Sequence, residues 1–147
     1  MQFSHTELKT LAELGNGKKT PPELAEALSK SISQIYRTLQ KLEERDIITL
    51  VRGIIKLKTK THITLLTTQL ASHKSLITPL SGAGMRIYTE LSRPKTLQEL
   101  VANTKLHQVT ILKKIQEGKK ISLVKKENKK YSLNEKLWPE TKQMLEE

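Results

Sequence analysis

The segment from Pro22 to Lys58 constrains the fold of this chain more than any other part of the sequence. It begins with a short stretch that has one apolar face, and Ser31 then offers the hydroxyl that typically caps the start of a helix. Apolar residues follow at every third or fourth position, which predicts one buried helical stripe. The members of this stripe are Ile32, Ile35, Leu39 and Leu42. Two β-branched runs separated only by Arg52-Gly53 predict a β-hairpin, so the expected order is helix, turn, helix, hairpin.

The face of the predicted helix opposite this stripe is polar and lacks acidic residues until Glu43 and Glu44. A helix that approaches phosphates and base edges needs such a face, whereas an ordinary surface helix has no reason to exclude acids. We therefore predict nucleic-acid contacts from this helix. The alternative is that Arg37 only pairs with Glu43 or Glu44 on a solvated surface. The predicted contact residues are Ser31, Ser33, Gln34, Arg37, Thr38 and Lys41.

The charge of the chain indicates a polyanionic partner. The 147 residues carry a formal net charge of +11 and the pI is near 9.9. This balance favours nucleic acid over an acidic membrane surface or an acidic protein, with a generally basic, solvated surface as the alternative. The length fits one domain, or two small domains of roughly 60–70 residues.

Other functional classes lack their sequence signals. The chain has no cysteine, which excludes disulfides, thiolate metal sites and cysteine nucleophiles. It also has no glycine-rich phosphate loop, no HExxH sequence and no serine elbow, and its histidines lack metal-ligand spacing. We therefore expect no enzymatic activity, no cofactor and no metal. Without an apolar leader or a membrane-length apolar run, the sequence predicts a cytoplasmic, nucleoid-associated protein with no membrane partner.

The same order of elements recurs from Gly84 onward. Thr96 and Glu99 form a capping-box pattern before the second helix of this copy. A third helix is expected from about His107 to Glu117, ended by Gly118. Its inward residues are predicted to be Ile111, Leu112 and Ile115. The hairpin that follows has a charged tip at 125–130, which we expect to be longer than the tip of the first hairpin.

The two copies align imperfectly in sequence. Glu23–Ala25 matches Glu99–Val101, but Leu39–Val51 matches Leu112–Val124 at an offset that is three residues smaller. This alignment predicts that the third helix of the second copy begins later or is shorter. A repeat of this kind indicates duplicated domains rather than a solenoid, because two copies are too few for stacking.

The second copy holds the denser positive charge. Residues 105–130 contain nine lysines against Glu117 and Glu127, a net charge of +7. We predict that this region contacts phosphates, with an ordinary solvated turn at 125–130 as the alternative. The further predicted contact residues are Arg52, His107, Gln108, Thr110, Lys113, Lys114, Lys125, Lys126, Lys129 and Lys130.

A segment with little charge separates the two copies. Apolar positions recur through residues 61–80 at spacings of three and four, which predicts one helix that connects the copies or forms a homodimer interface. These positions are Ile63, Leu66, Leu70, His73, Ile77 and Leu80. The predicted division is therefore a first domain at 1–60, a connecting or dimerisation helix at 61–82, and a second domain at 83–147 that ends in another helix.

A pattern in the first copy is typical of one family. It comprises Glu23-Leu24-Ala25, Leu28, Ser31, Ile35, Tyr36-Arg37, Leu39, Leu42 and Ile47-Ile48. With this pattern, residues 4–58 resemble the winged helix-turn-helix domain of archaeal and bacterial transcription regulators of the MarR, ArsR and TrmB kind, and residues 84–134 resemble a more diverged copy.

The resemblance implies a mainly α fold with small β-hairpin wings. It also implies a third helix in the major groove and a wing near the DNA backbone or minor groove. The expected function is sequence-specific binding of double-stranded DNA by a transcription regulator. The alternative is a winged-helix module that binds proteins within a nucleic-acid-associated assembly, because this fold serves both purposes.

Overall fold

A computed structural model describes residues 2–146, which form a mainly helical protein with two small antiparallel hairpins. These residues divide into two compact units. The first unit is Ser4–Lys74, and the second contains residues 75–146 together with residues 2–3. The boundary thus lies inside the segment 61–82 that was predicted to connect two domains.

The first unit follows the predicted order of elements. Ser4, Thr20 and Ser31 each accept a hydrogen bond from a backbone N–H of the first turn that follows, so a side chain caps each of the first three helices. The buried residues of the third helix include Ile35 and Leu39. The elements are α1 (His5–Gly15), α2 (Pro21–Leu28), α3 (Ile32–Glu44), β1 (Ile48–Val51), β2 (Ile54–Leu57) and α4 (Thr61–Ser72).

The second unit repeats this order. A 3₁₀ turn at Lys74–Leu76 lies at the boundary between the two units. The elements of the second unit are α5 (Ile77–Leu80), α6 (Gly84–Glu90), α7 (Leu97–Thr104), α8 (Gln108–Lys120), β3 (Val124–Glu127), β4 (Lys130–Leu133) and α9 (Pro139–Glu146). The bounds of α7, α8, β3 and β4 are all 76 residues higher than those of α2, α3, β1 and β2. The two units therefore match without an insertion from the second helix to the end of the hairpin.

This constant offset corrects the sequence alignment. The expected shorter or later third helix is wrong, because α3 and α8 both contain 13 residues. Gly118 lies inside α8 and does not end it; a Cβ at this position would lie 2.9 Å from the Tyr88 hydroxyl and 2.8 Å from a Val124 methyl. At the same two positions the first unit has the buried pair Ala12 and Leu42. In each unit a large residue at one of these two positions is thus matched by a small residue at the other.

The two hairpins have the same size, so the expectation of a longer second hairpin is wrong. The strand partners at the tips are Val51 with Ile54 and Glu127 with Lys130. In each case two residues form the turn, and both have positive φ: 53° and 77° at Arg52-Gly53, and 50° and 65° at Asn128-Lys129. Two consecutive positive φ angles define the type I′ turn, whose twist fits antiparallel strands.

Backbone hydrogen bonds attach each hairpin to the segment that precedes the second helix. The Ile55 N–H donates to the Lys19 carbonyl over 2.7 Å. At the equivalent place in the second unit, Lys95 and Tyr131 exchange two hydrogen bonds of 2.9 and 2.7 Å. A two-stranded hairpin is marginal in water by itself, so this third backbone segment adds to the packing against helices that stabilises each hairpin.

The predicted single helix over 61–80 is interrupted. Its backbone leaves the helical region at His73, where φ is −135° and ψ is 79°. The resulting α4 packs on α1, and Gly15 allows α1 close to the Thr67 carbonyl of α4. In the second unit α9 contacts α6 in the same way. The helix after each hairpin therefore returns to the first helix of its own unit. The α4 side chains that this packing buries include Ile63, Leu66 and Leu70.

We predict that Gly118→Leu lowers the free energy of unfolding of the second unit by about 1–3 kcal/mol, because the added side chain overpacks the contact with Tyr88. Tyr88→Ala will cost about 3–5 kcal/mol through the cavity it leaves. The double variant recreates the small–large pair of the first unit, so it will be more stable than the sum of the two losses implies. Urea unfolding followed by the fluorescence of Trp138, the single tryptophan, measures these changes. If the loss of stability in the double variant equals the sum of the two single losses, the idea that Tyr88 and Gly118 exchange size with each other is wrong.

Candidate nucleic-acid interface

The outer face of α3 is exposed and carries an available cation. Ser33, Arg37 and Lys41 are all exposed there. Within residues 2–146, the Arg37 guanidinium makes no ion pair or hydrogen bond, so the alternative pairing with Glu43 or Glu44 is not formed. The Glu43 carboxylate instead accepts a hydrogen bond of 3.1 Å from the Leu50 N–H. Arg37 is thus available to an external anion or base edge.

Two of the predicted contact residues, Ser31 and Gln34, form the hydrogen-bonded cap at the start of α3. The Ser31 hydroxyl accepts a hydrogen bond of 3.2 Å from the Gln34 N–H, and the Gln34 side-chain oxygen accepts one of 3.1 Å from the Ser31 N–H. This is a complete capping box. Both side chains are exposed, but the acceptor of the Gln34 amide is already in use. A bidentate contact from Gln34 to adenine would therefore require the box to open.

The prediction for Thr38 is wrong. Its side chain is buried, with 9% of the residue exposed, and its hydroxyl donates a hydrogen bond of 3.0 Å to the Gln34 carbonyl. It lies on the face of α3 that also buries Ile35 and Leu39. A threonine at this position satisfies its hydroxyl within the helix and cannot reach a ligand.

The outer face of α8 carries Lys113 at the position that Arg37 occupies in α3, 76 residues earlier. Gln108, Thr110 and Lys113 are exposed, and Lys113 has no hydrogen bond or ion pair with any residue between 2 and 146. His107 is also exposed, but its Nδ1 accepts a hydrogen bond of 3.2 Å from the Val109 N–H and caps α8. His107 therefore shares the capping position of Ser31.

The prediction for Lys114 is wrong. Its ammonium group donates to the Thr78 carbonyl over 2.9 Å, to the Ser81 hydroxyl over 3.4 Å and to the Glu117 carboxylate over 3.1 Å. Only 13% of its side chain is exposed. Lys114 therefore ties the start of the second unit to α8 rather than offering its charge to a ligand.

The second hairpin presents a row of exposed lysines. Lys125 makes only a long ion pair of 3.9 Å with Glu127, and the Lys126 ammonium lies 5.4 Å from the centre of the Tyr131 ring. Neither contact buries the cation, because both side chains remain exposed. The exposed lysines of this hairpin are Lys125, Lys126, Lys129 and Lys130.

The tip of the first hairpin is chemically different. Arg52 is exposed in its turn, but the flanking residues Val51 and Ile54 are apolar and 55% and 41% exposed.

Further along the chain, Lys60 donates a hydrogen bond of 2.7 Å to Asp46, and Lys58 lies 3.2 Å from the same carboxylate. These two ammonium groups hold the pKa of Asp46 below its ordinary value. The charges of Lys58 and Lys60 are therefore partly neutralised within the unit.

Several apolar side chains of α3 and α8 are exposed. Ile32 was assigned to the buried stripe of α3, and Leu112 to the inward face of α8, but both are exposed. Val109 and Tyr36 are exposed as well. No sequence signal separated Leu112 from Ile111, since neighbouring helical residues such as Thr38 and Leu39 can both be buried.

Searches against protein-family models and curated proteins found no match for this chain. In the part of the chain that the structure describes, no group of three or more histidine or acidic residues could hold a metal ion. No helix between residues 2 and 146 has both the length and the apolar character needed to cross a membrane.

The neighbours Lys113 and Lys114 provide a matched test of this assignment. Lys114→Ala will lower the free energy of unfolding by about 1–3 kcal/mol, because it removes the hydrogen bonds that the ammonium group donates to the Glu117 carboxylate and the Thr78 carbonyl. Lys113→Ala will change it by less than about 0.5 kcal/mol. Urea unfolding followed by Trp138 fluorescence distinguishes the two, and equal effects would show that Lys114 is not a structural residue.

Proposed function

We propose that this protein binds double-stranded DNA with sequence specificity and regulates transcription. In this proposal α3 reads the major groove and the exposed lysines of the second unit hold phosphates. The element order of each unit supports a winged helix-turn-helix arrangement, in which the third helix enters the groove and the hairpin is the wing.

The observation that carries the proposal is the equivalent placement of Arg37 and Lys113. Each lies on the exposed face of a 13-residue third helix, 76 residues apart, and neither is engaged by another residue of the described chain. An arginine or lysine kept free at the same position of two duplicated helices fits contact with phosphates or guanine edges. If both helices were only solvated surfaces, nothing would explain why an unengaged cation lies at the same position of each.

The distribution of charge supports different roles for the two units. Residues 1–60 carry a net charge of +4, and Lys58 and Lys60 lie in ion pairs with Asp46. Residues 105–130 alone carry +7, and the lysines of the second hairpin are exposed. Non-specific affinity for DNA is almost entirely electrostatic, so the second unit would supply most of it. Arg37 and Lys41 would then add base and phosphate contacts from α3.

One observation favours the alternative of a protein-binding module. The exposed pair Val51 and Ile54 makes the first hairpin tip apolar, and Tyr36 is exposed on the neighbouring helix of the same unit. Exposed apolar groups of this kind are common in protein interfaces. If the first unit binds a protein, replacing Val51 and Ile54 together by serine will abolish that interaction and leave affinity for DNA unchanged.

We predict that Arg37→Ala weakens binding to a duplex selected from a random pool by about 1–3 kcal/mol and lowers discrimination against other sequences. Lys129→Ala, in contrast, will weaken binding to all duplexes alike and reduce the slope of log K against log[salt] by about one. Fluorescence anisotropy with labelled duplexes measures both.

Two variants serve as controls for this experiment. Arg37→Lys keeps the charge but loses the bidentate geometry, so it should restore non-specific affinity without restoring discrimination. Lys136→Ala removes an exposed lysine outside the hairpin and should have little effect. A loss that is equal for all sequences in Arg37→Ala would exclude base reading by that residue.

A further inference from the structure

We propose that α8 also reads base pairs, and that Val109 and Leu112 recognise the methyl groups of thymine. This inference rests on the proposed binding of duplex DNA and assigns a substrate class to the second unit: a site with A·T pairs at the positions that α8 faces. In the proposed function this unit only holds phosphates.

The exposed stripe of α8 has an unusual composition. Val109, Leu112, Lys113 and Gln116 are spaced by three, four and seven residues from the first, so they form one line along the helix. All four are exposed, whereas Ile111 and Ile115 are buried on the other side. Val109 is 67% exposed and Leu112 is 38% exposed. The line contains two apolar side chains and no acid.

Thymine is the one base that presents a methyl group in the major groove, and apolar side chains are its usual partners. Lys113 stands beside Val109 and Leu112 on the same line and has no partner among residues 2–146. Lysines dominate the surrounding region 105–130, with its net charge of +7. This charge is complementary to DNA phosphates, so the occupant that fits both the apolar and the cationic groups is the major groove of a duplex.

The equivalent line on α3 has a different chemistry. Val109, Leu112 and Lys113 stand where α3 has Ser33, Tyr36 and Arg37. A hydroxyl contacts any base edge, and arginine pairs most often with guanine. The two helices would therefore prefer different bases, and the complete binding site would be asymmetric in composition, with guanine contacted by α3 and thymine by α8.

Replacement of thymine by uracil in DNA tests the inference, because it removes only the methyl group. The full chain first selects a site from a random duplex pool, and each thymine of that site is then replaced in turn by deoxyuridine. We expect the wild type to lose about fourfold in affinity for each methyl that Val109 or Leu112 contacts. The Val109→Ala variant will bind the thymine duplex more weakly and will lose its sensitivity to uracil at one position. Leu137→Ala, which truncates another exposed apolar residue of the second unit, will behave as the wild type.

The outcomes separate this inference from the proposed function. If the wild type binds a selected site but uracil has no effect, or if Val109→Ala stays as sensitive as the wild type, thymine recognition is wrong and DNA binding stands. Equal affinity of the wild type and the Val109→Ala variant for the thymine duplex would likewise exclude a contact between Val109 and that duplex. Absence of binding to any duplex at low salt would overturn both proposals.

Discussion

The hydrogen bonds that attach each hairpin to the segment before the second helix are the constraint on which the rest of each unit depends. Ile55 bonds to Lys19 in the first unit, and Lys95 and Tyr131 bond reciprocally in the second. Without this third backbone segment the two-stranded hairpin would be marginal in water. With it, the apolar residues at the start of each hairpin are buried, and they cover the inner side of the third helix together with the first helix. The polar side of the third helix is left exposed as a consequence.

Local signals in the sequence predicted much of this fold. The helix cap at Ser31, the capping box at Thr96 and the turn at Arg52-Gly53 act over a few residues and were predicted correctly. Three of the four predicted members of the α3 stripe are buried, and Ile32 is exposed. The features that could not be predicted from the sequence depend on contacts between residues that are distant along the chain. From the sequence alone, Gly118 has the character of a residue that ends a helix. The structure shows instead that the Tyr88 side chain fills the space beside it. In the sequence, Lys114 cannot be distinguished from its neighbour Lys113. The structure shows that its ammonium group donates a hydrogen bond to the carbonyl of Thr78, which is 36 residues away.

The candidate site was predicted less well than the fold. A sequence pattern identifies the polar face of a helix, but it does not show which polar groups the protein itself has already engaged. The Gln34 side-chain oxygen accepts a hydrogen bond from the Ser31 N–H, and the Thr38 hydroxyl donates one to the Gln34 carbonyl. Arg37 and Lys113 are left available at equivalent positions, and the hairpin tips differ in chemistry. The two units thus share one order of elements while their exposed surfaces differ.

The central claim is that the exposed cations of both units bind the phosphates and bases of a DNA duplex. The most direct test is the affinity of the full chain for a random duplex over a series of salt concentrations. The account predicts measurable binding at low salt, with log K falling linearly against log[salt] and a slope that reflects several phosphate contacts. Absence of binding at low salt, or an affinity that does not change with salt, would contradict it.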